Sequence, residues 1–344
     1  MKSENIILPA EWAAQSAVQL TWPHNLTDWA YMLDEVEECF VNIARAIAER
    51  QLLLIVTPEV ERVGRRIANE VNMENVRWVE CNTNDTWARD HGGITVWYDG
   101  KPVVYDFAFN GWGLKFAACH DNLITGCMHR NGVFHADYCN RLNFIIEGGS
   151  IESDGCGTML TTSECLLSPN RNGEWSRDEI ERYLSDAFGL KQILWIDHGY
   201  LAGDDTDSHI DTLARLAPHD TILYVRCEDE QDEHYTALAA MEQQLKSFRT
   251  LDGRPYRLLP LPMAAATFDE QGERLPATYA NFLILNDAVL YPTYAEPSLD
   301  EEAARVIAEA FPGREVVGID CRALIKQHGS LHCVTMQYPQ GVIK

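Results

Sequence analysis

The chain has 344 residues, of which 46% are hydrophobic and 23% charged, an ordinary globular composition long enough for a large buried core. Its formal net charge of -24 at pH 7 opposes binding to nucleic acid phosphates and anionic membranes, and favours small cations. The ten cysteines form no CxxC pair and no apolar run is long enough to span a membrane, which argues against zinc knuckles, a disulfide framework and a membrane anchor.

The N-terminal residues 1–9 contain neither the apolar core nor the small-residue cleavage site of a signal peptide. Together with the scattered cysteines, this predicts a reduced, cytoplasmic protein. No Pro/Ser-rich linker or low-complexity segment divides the sequence. We therefore predict a single catalytic domain over residues 1–344.

Apolar periodicity and capping residues predict four helices. Ser176 and Glu179 form a capping-box pattern, and that helix is predicted to end before Gly189. Ser298 is predicted to cap the last helix, which ends before Pro312. The predicted helices span residues 34–50, 176–188, 231–248 and 298–311.

Short apolar runs predict strands after these helices, and a strand pair at residues 281–285 and 289–291 flanks a turn. The unit of two strands, a helix and a further strand repeats at roughly 55–65 residues, which favours radial or solenoid stacking. No Rossmann or P-loop phosphate motif is present, so nucleotide-dependent chemistry is not expected. The strands predicted after helices are 52–56, 192–196, 256–260 and 315–319.

Cys333 lies within residues 329–336, where a glycine turn leads into an apolar, strand-like run. A buried core cysteine is the common case, but a thiol at the lip of a strand can face a cleft. Neighbouring side chains of an extended segment point to opposite faces, so His332 is predicted to point away from Cys333. A distant histidine is then needed as its partner.

His209 is the candidate partner. It alternates with Asp205, Asp207 and Asp211, and an extended conformation would place all four polar side chains on one face. Histidine and carboxylates also bind divalent cations, so a metal site is the alternative here. The spacing fits neither a zinc motif nor an EF-hand loop.

Two further carboxylates, Asp90 and Glu147, precede glycines that would let a substrate approach the backbone. Each could equally be a solvated turn residue. Paired carboxylates bind a guanidinium bidentately, and a thiolate can attack its central carbon. We therefore predict a small cationic substrate with a guanidino group, and neither a metal nor another cofactor.

Taken together, the motifs WxRDxG, EGGS, GDDTDxHID and GxxHC resemble those of agmatine deiminase and its bacterial peptidyl-arginine deiminase relatives. The resemblance runs from Trp22-Pro23 to Cys333. It implies a pentein-type fold, an α/β five-bladed propeller of ββαβ modules. It also implies hydrolysis of agmatine to N-carbamoylputrescine and ammonia through a covalent thiouronium intermediate.

The resemblance also implies a role for each reactive residue. Cys333 is the nucleophile, and His209 is the acid that releases ammonia and then the base that activates water. Asp90 and Asp211 bind the guanidinium nitrogens. Glu147 contacts the same group or orients His209.

Trp87 and Asp205 are implied to line the slot for the aliphatic arm and distal ammonium of the substrate. The sequence departs from the plant-like pattern at residues 91–93, at Ser208 and at residues 329–331, all beside the reactive groups. The family resemblance further implies a homodimer.

Three alternatives remain at the level of sequence. A deiminase of free arginine or peptidyl-arginine would use the same reactive groups, although a cation should then hold the α-carboxylate of arginine. A metal-dependent hydrolase is the second alternative. The third is a non-enzymatic polyamine-binding protein, for which Cys333 would have no function.

Overall fold

The computed structural model of the protein describes residues 5–343, which form a mixed α/β fold. The family resemblance implies an α/β fold, and this class is confirmed. The strands of the described residues are β1 (Ile6–Ile7), β2 (Gln15–Thr21), β3 (Leu52–Thr57), β4 (Val76–Glu80), β5 (Ile94–Tyr98), β6 (Lys101–Ala108), β7 (Asp137–Ile145), β8 (Ile151–Ser153), β9 (Thr158–Thr162), β10 (Gln192–Ile196), β11 (Ala214–Ala217), β12 (Thr221–Arg226), β13 (Arg257–Pro262), β14 (Leu283–Ile284), β15 (Ala288–Thr293), β16 (Glu315–Asp320) and β17 (Thr335–Pro339).

Helices of very different lengths connect these strands. The helices are α1 (Leu33–Ala48), α2 (Val60–Ile67), α3 (Ala88–His91), α4 (Gly111–Leu114), α5 (Ile124–Arg130), α6 (Ser163–Leu166), α7 (Pro169–Asn172), α8 (Arg177–Phe188), α9 (Tyr235–Ser247) and α10 (Pro297–Ala310). Within residues 5–343, none of them has the length and apolar character that a bilayer crossing requires. The predicted single domain also includes residues 1–4 and 344, which lie outside the described residues.

The described strands pair into five sheets that share one arrangement. Two antiparallel strands are followed by a helix, which leads to a third strand parallel to the second. Four sheets are built around β5-β6-β7, β8-β9-β10, β11-β12-β13 and β14-β15-β16, and the fifth combines β17 with β2 and β3. The predicted order of two strands, a helix and a strand is therefore present in each of these sheets.

Local capping explains where α8 begins and ends. The side chain of Ser176 accepts the backbone N–H of Glu179, whose own side chain accepts the N–H of Ser176, so the predicted capping box is confirmed. Gly189 follows the helix with φ 69°, the left-handed conformation that glycine adopts without steric penalty. The predicted limits of this helix agree with the structure within one residue.

The predicted cap of α10 is wrong. The helix begins at Pro297, and its N-cap is Glu296, which makes no side-chain capping bond. Proline is favoured at the first helical position because its fixed φ suits the helix and its missing N–H would have no intrahelical partner. Ser298 consequently lies inside the first turn rather than before it.

The predicted strands are present with small shifts, but the strand-like run around Cys333 is not. Residues 331–334 form a turn, and β17 begins only at Thr335. The backbone N–H groups of His332 and Cys333 both donate to Asn281 Oδ1, at 2.9 and 3.2 Å. Adjacent N–H groups of an extended strand point in opposite directions, so this shared acceptor requires a turn.

We expect Ser176→Ala to lower the free energy of unfolding by about 1 kcal/mol, because an N-cap acceptor is lost from α8. Ser298→Ala is the matched control, since this equally exposed hydroxyl is not the N-cap of α10 and should change stability by less than about 0.5 kcal/mol. Denaturant titration of both variants provides the measurement. Equal losses in the two variants would contradict the assignment of the caps.

Candidate active site

The segments that connect one sheet to the next carry the predicted site residues. Asp90 lies between β4 and β5, Glu147 between β7 and β8, His209 between β10 and β11, and Cys333 between β16 and β17. A cavity of about 140 Å³ lies where these connections meet. Its lining residues are Asp28, Asp85, Trp87, Asp90, Trp112, Phe116, Asp205, Thr206, Gln327, His328, Gly329 and Cys333.

The structure divides the predicted site residues between the cavity wall and the layer behind it. Trp87, Asp90, Asp205 and Cys333 line the cavity. The other three, Glu147, His209 and Asp211, are completely buried beside them. Contacts described below link Asp90, His209 and Glu147 into one group and Cys333 and Asp211 into another. The two groups adjoin at Gly149, where an added Cβ would lie 2.7 Å from His209 Nδ1 and 3.1 Å from Asp211 Oδ2.

The thiol of Cys333 is held among oxygen atoms. Its Sγ lies 3.3 Å from Asn281 Oδ1 and 4.0 Å from Asp211 Oδ2, and the residue is only 5% exposed. Burial raises the pKa of the Cys333 thiol well above its usual range, and the carboxylates of Asp211 and Asp90 raise it further. Both effects favour the protonated thiol in the empty site.

Asp90 is oriented by two donors. Its Oδ1 accepts the backbone N–H of Gly149 at 3.0 Å, and its Oδ2 accepts the indole N–H of Trp112 at 2.9 Å. Trp112 reaches this position because α4 contains left-handed residues, with φ 54° at Trp112 itself. Burial raises the pKa of Asp90 to about 6, which the nearby His209 partly opposes. Sequence reasoning gave Trp112 no function, although residues 110–113 lie in the stretch that carries the family resemblance.

His209 is completely buried between two carboxylates. Its Nδ1 lies 3.6 Å from Asp90 Oδ1, and its Nε2 lies 3.8 Å from Glu147 Oε2. Burial alone would lower the pKa of His209, but the charge of Asp90 and the contacts with Cys165 and Glu147 raise it well above its usual value. The ring therefore carries a proton that it can donate.

The expected alternation of residues 205–211 on one extended face is wrong. Asp207 and Ser208 have φ 64° and 61°, because the carboxylate of Asp204 accepts the N–H groups of Thr206 and Ser208. This turn separates the four polar groups. Asp205 lines the cavity, Asp207 pairs with two cations, and His209 and Asp211 are directed into the interior.

Arg171 holds Glu147 in place. Its Nε donates to both carboxylate oxygens at 2.9 Å, and its Nη1 pairs with Asp207 Oδ2 at 2.5 Å. Burial would raise the pKa of Glu147, but His209 and Arg171 keep it below its usual value. Cys165 lies on the same side, with its Sγ 3.9 Å from Glu147 Oε2. Sequence reasoning gave neither Arg171 nor Cys165 a function.

His332 contacts the site differently from the prediction. Because residues 331–334 form a turn, strand alternation does not apply, and His332 Nδ1 lies 2.8 Å from Asp211 Oδ2. Its Nε2 lies 3.0 Å from both oxygens of Glu11, which also pairs with Arg89 and Arg215. Burial acts to raise the pKa of Asp211, but His332 holds it below its usual range. His332 is thus a positioning residue that keeps Asp211 ionised.

The other end of the cavity is also acidic. Asp85 and Asp28 line it, and the ring of Trp87 donates to Asp85 Oδ2 at 3.2 Å. Burial, together with the charges of the neighbouring Asp121 and Asp28, raises the pKa of Asp85 to about 7. Asp28 and Asp85 were not predicted, since nothing in the local sequence separates them from solvated acidic residues.

The arrangement is suited to a planar cation. Asp90 and Asp211 can accept hydrogen bonds from its nitrogens, which lowers the energy of both carboxylates and of the nearby thiolate. His209 lies beside Asp90 with a proton for a leaving group. The site can therefore perform nucleophilic substitution at the central carbon of a guanidinium.

Comparison with known proteins finds deiminases by family profile, by sequence and by structure. A family profile described as Porphyromonas-type peptidyl-arginine deiminase matches residues 7–339. An agmatine deiminase of Stutzerimonas stutzeri is 30% identical, with 100% of this chain and 98% of that protein aligned. A crystal structure of a Porphyromonas gingivalis protein, provisionally named an arginine deiminase, is 57% identical with a TM-score of 0.94, covering 99% of this chain and 100% of that chain. A C. jejuni agmatine deiminase variant with substrate bound is 36% identical with a TM-score of 0.93, covering 99% and 98%.

We expect the Cys333 thiolate to be absent at pH 7 in the unliganded protein. When guanidinium is present, the thiolate should form at a lower pH than it does without guanidinium. The cation offsets the repulsion that Asp90 and Asp211 exert on the thiolate. The ultraviolet thiolate absorbance of the wild type minus that of Cys333→Ala, recorded against pH in dilute guanidinium chloride or sodium chloride, measures this. A strong thiolate signal at pH 7 in sodium chloride would contradict the prediction.

Proposed function

The chain belongs to the Porphyromonas-type peptidyl-arginine deiminase family, and on that basis we propose that it is an agmatine deiminase, a hydrolase that converts agmatine and water to N-carbamoylputrescine and ammonia. One observation carries the choice of substrate. The cavity beside the Cys333 thiol is lined by four Asp residues, and none of its described lining residues is Lys or Arg. Such a cavity suits a substrate with a cation at each end.

The first half of the reaction forms the covalent intermediate. Asp90 and Asp211 bind the guanidinium nitrogens, and the thiol proton of Cys333 leaves to solvent as the cation binds. The thiolate adds to the guanidinium carbon. His209 then donates its proton to one amino nitrogen, and the carbon–nitrogen bond breaks to release ammonia and leave a thiouronium.

The second half hydrolyses that intermediate. Neutral His209 takes a proton from water, and the hydroxide adds to the thiouronium carbon. The carbon–sulfur bond breaks, the Cys333 thiolate leaves, and the product loses its remaining proton to give the uncharged urea group of N-carbamoylputrescine. We propose that Glu147 orients the ring of His209, since Glu147 is fixed by Arg171 and lies 3.8 Å from Nε2 of that ring.

The far end of the cavity supports agmatine over arginine. Asp205, Asp85 and Asp28 would attract the distal ammonium of agmatine and repel the α-carboxylate of arginine. Trp87 provides an apolar wall for the methylene arm between the two charged ends. A peptidyl-arginine substrate would also bring an uncharged main chain rather than a cation to these carboxylates.

Several broader statements belong to the same proposal. We propose that the five described sheets close into the α/β propeller of ββαβ modules, as one catalytic domain over residues 1–344, which the shared strand order supports. We also propose a cytoplasmic location without nucleic acid or membrane partners, supported by the net charge of -24 and by ten free cysteines. The homodimer rests on the family resemblance alone.

We expect Cys333→Ala to lower ammonia release from agmatine by at least about 10³-fold, because the covalent step is lost. Cys227→Ala, which removes another buried cysteine outside the site, is the matched control and should retain activity. A panel of agmatine, arginine and a peptidyl-arginine should rank agmatine first.

Other outcomes of the same assays would identify the alternatives. Wild-type rates for Cys333→Ala would exclude this nucleophile, and a preference for arginine would exclude the proposed substrate. Loss of activity in a chelator would indicate a metal-dependent hydrolase. Tight agmatine binding without turnover would indicate a polyamine-binding protein.

We expect kcat/KM for agmatine to rise with pH between about 5 and 8. Burial raises the pKa values of Asp90 and Asp85 to about 6 and about 7, so each carboxyl is ionised, and attractive to a cation, only above that pH. Asp85→Asn should remove the upper part of this rise and increase KM. A flat or falling wild-type profile over this range would contradict the assignment.

We expect Gly329→Ala to raise KM for agmatine at least about tenfold by displacing the wall of the substrate slot. A Cβ at residue 329 would lie 2.1 Å from the ring of Trp87, so the indole must move. Gly64→Ala is the matched control, because a Cβ there meets the ring of Trp78 at an ordinary 3.7 Å. Steady-state kinetics of both variants tests this, and an unchanged KM in Gly329→Ala would show that Trp87 does not form the slot.

A further inference from the structure

Glu147, Cys165 and His209 form a completely buried cluster of three potential metal ligands. Cys165 Sγ lies 3.9 Å and His209 Nε2 lies 3.8 Å from the same oxygen, Glu147 Oε2. All three ligand atoms lie within 4.8 Å of one another. Cys165 takes no part in the proposed reaction, so its position in this cluster needs a separate explanation.

The separations match those of ligands around a common ion. The sulfur–oxygen and nitrogen–oxygen separations are 3.9 and 3.8 Å, and the sulfur–nitrogen separation is at most 4.8 Å. A point equidistant from the three atoms therefore lies about 2.0 to 2.5 Å from each of them. Zinc bonds to nitrogen, oxygen and sulfur are about 2.0–2.3 Å long, so shifts of a few tenths of an ångström would complete the geometry. The ligand types, one thiolate, one imidazole and one carboxylate, are those of zinc sites.

His209 supplies an independent observation that points to a ligand. Neither of its ring nitrogens has a hydrogen-bond partner, although the residue is completely buried. Buried polar side chains are normally satisfied, so an unpartnered imidazole directed at a thiol and a carboxylate is unusual. From this geometry we propose that Glu147, Cys165 and His209 bind a thiophilic divalent cation, Zn²⁺ or Cd²⁺, and that the bound ion inhibits the enzyme.

Arg171 is the main opposing group, since its guanidinium already donates to both oxygens of Glu147. Each carboxylate oxygen has a second lone pair, so Oε2 can bind an ion while it accepts from Arg171. The dication displaces the thiol proton of Cys165 and a proton of His209, and this exchange leaves the total charge of the buried cluster unchanged. Cadmium should bind more tightly than harder divalent ions because of the thiolate.

Inhibition rests on the proposed function, because it follows from the use of His209 as acid and base. A metal bound at Nε2 occupies the nitrogen that faces Glu147 and prevents the ring from carrying that proton. Asp90, 3.6 Å from the other ring nitrogen, lines the substrate cavity, so the cluster lies one imidazole ring away from the substrate. The ion therefore need not contact Cys333 to stop the reaction.

Cadmium titration of the Cys333→Ala protein tests the site without using activity. The ultraviolet charge-transfer absorbance of the cadmium–thiolate bond should show that one equivalent of cadmium binds tightly. In Cys333→Ala/Cys165→Ser the affinity for this cadmium ion should fall at least about tenfold. Cys333→Ala/Cys227→Ser is the matched control and should retain it. Unchanged binding in the Cys165 variant, or equal loss in the Cys227 variant, would overturn the proposal.

Two further measurements keep the outcomes distinct. X-ray absorption at the cadmium edge of the Cys333→Ala protein should show one sulfur with nitrogen and oxygen ligands, and a shell of several sulfurs would overturn the site whether or not the Cys165 variant folds. Cadmium should also inhibit agmatine turnover by the wild type. If the protein binds cadmium tightly but does not turn over agmatine, the proposed function is refuted and the proposed metal site stands. If it turns over agmatine but does not bind cadmium in this way, the metal site is refuted and the function stands.

Discussion

His332 pairs with Asp211 and Glu11 beside Cys333, and the geometry of the site depends on this pairing. His332 Nδ1 contacts Asp211, and its Nε2 contacts Glu11, which also binds Arg89 and Arg215. Removal of one partner from a buried ionic network of this kind typically costs about 3–5 kcal/mol, because another charge is left unpaired. The network ties the segment before β2 to three inter-sheet connections and fixes the carboxylate of Asp211 beside Cys333.

The acidic groups of the cavity, unlike those of this network, have no Lys or Arg partner among the described lining residues. Cys333, Asp90 and Asp85 are buried or line the cavity, and burial raises the pKa of each of them. Their raised pKa values disfavour the ionised forms in the empty site. A bound guanidinium would lower these pKa values by supplying a positive charge. In the proposed reaction, binding of the substrate and ionisation of the Cys333 thiol would therefore be one electrostatic event.

Local signals in the sequence were sufficient for elements whose ends depend on nearby residues. The Ser176 capping box and Gly189 fix α8 through contacts within a few residues, and β10 follows from a short apolar run. The predicted cap at Ser298 was wrong because Pro297 occupies the first helical position, so the helix begins one residue earlier. The repeated order of strands and helices was predictable from such local patterns, whereas the α/β class was implied by the motif resemblance.

Contacts between distant residues decided the parts that the sequence could not predict. The turn at Cys333 depends on Asn281, and the position of His332 depends on Glu11, which is 321 residues away. Asp204 bends the segment that was expected to be extended. The motif resemblance named the reactive residues, but Arg171, Cys165 and Glu11 act through side-chain contacts that no spacing rule encodes.

The pairing of β17 with β2 joins residues 335–339 to residues 15–21, and Cys333 lies two residues before that last strand. A chain emerging from the ribosome therefore presents β2 with an open edge until residues 335–339 have been synthesised, and open strand edges invite aggregation. The thiol of Cys333 cannot reach its position beside Asn281 and Asp211 before the same moment. Translation products that stop before this strand would therefore expose the edge of β2, and those that stop before residue 333 would also lack the thiol.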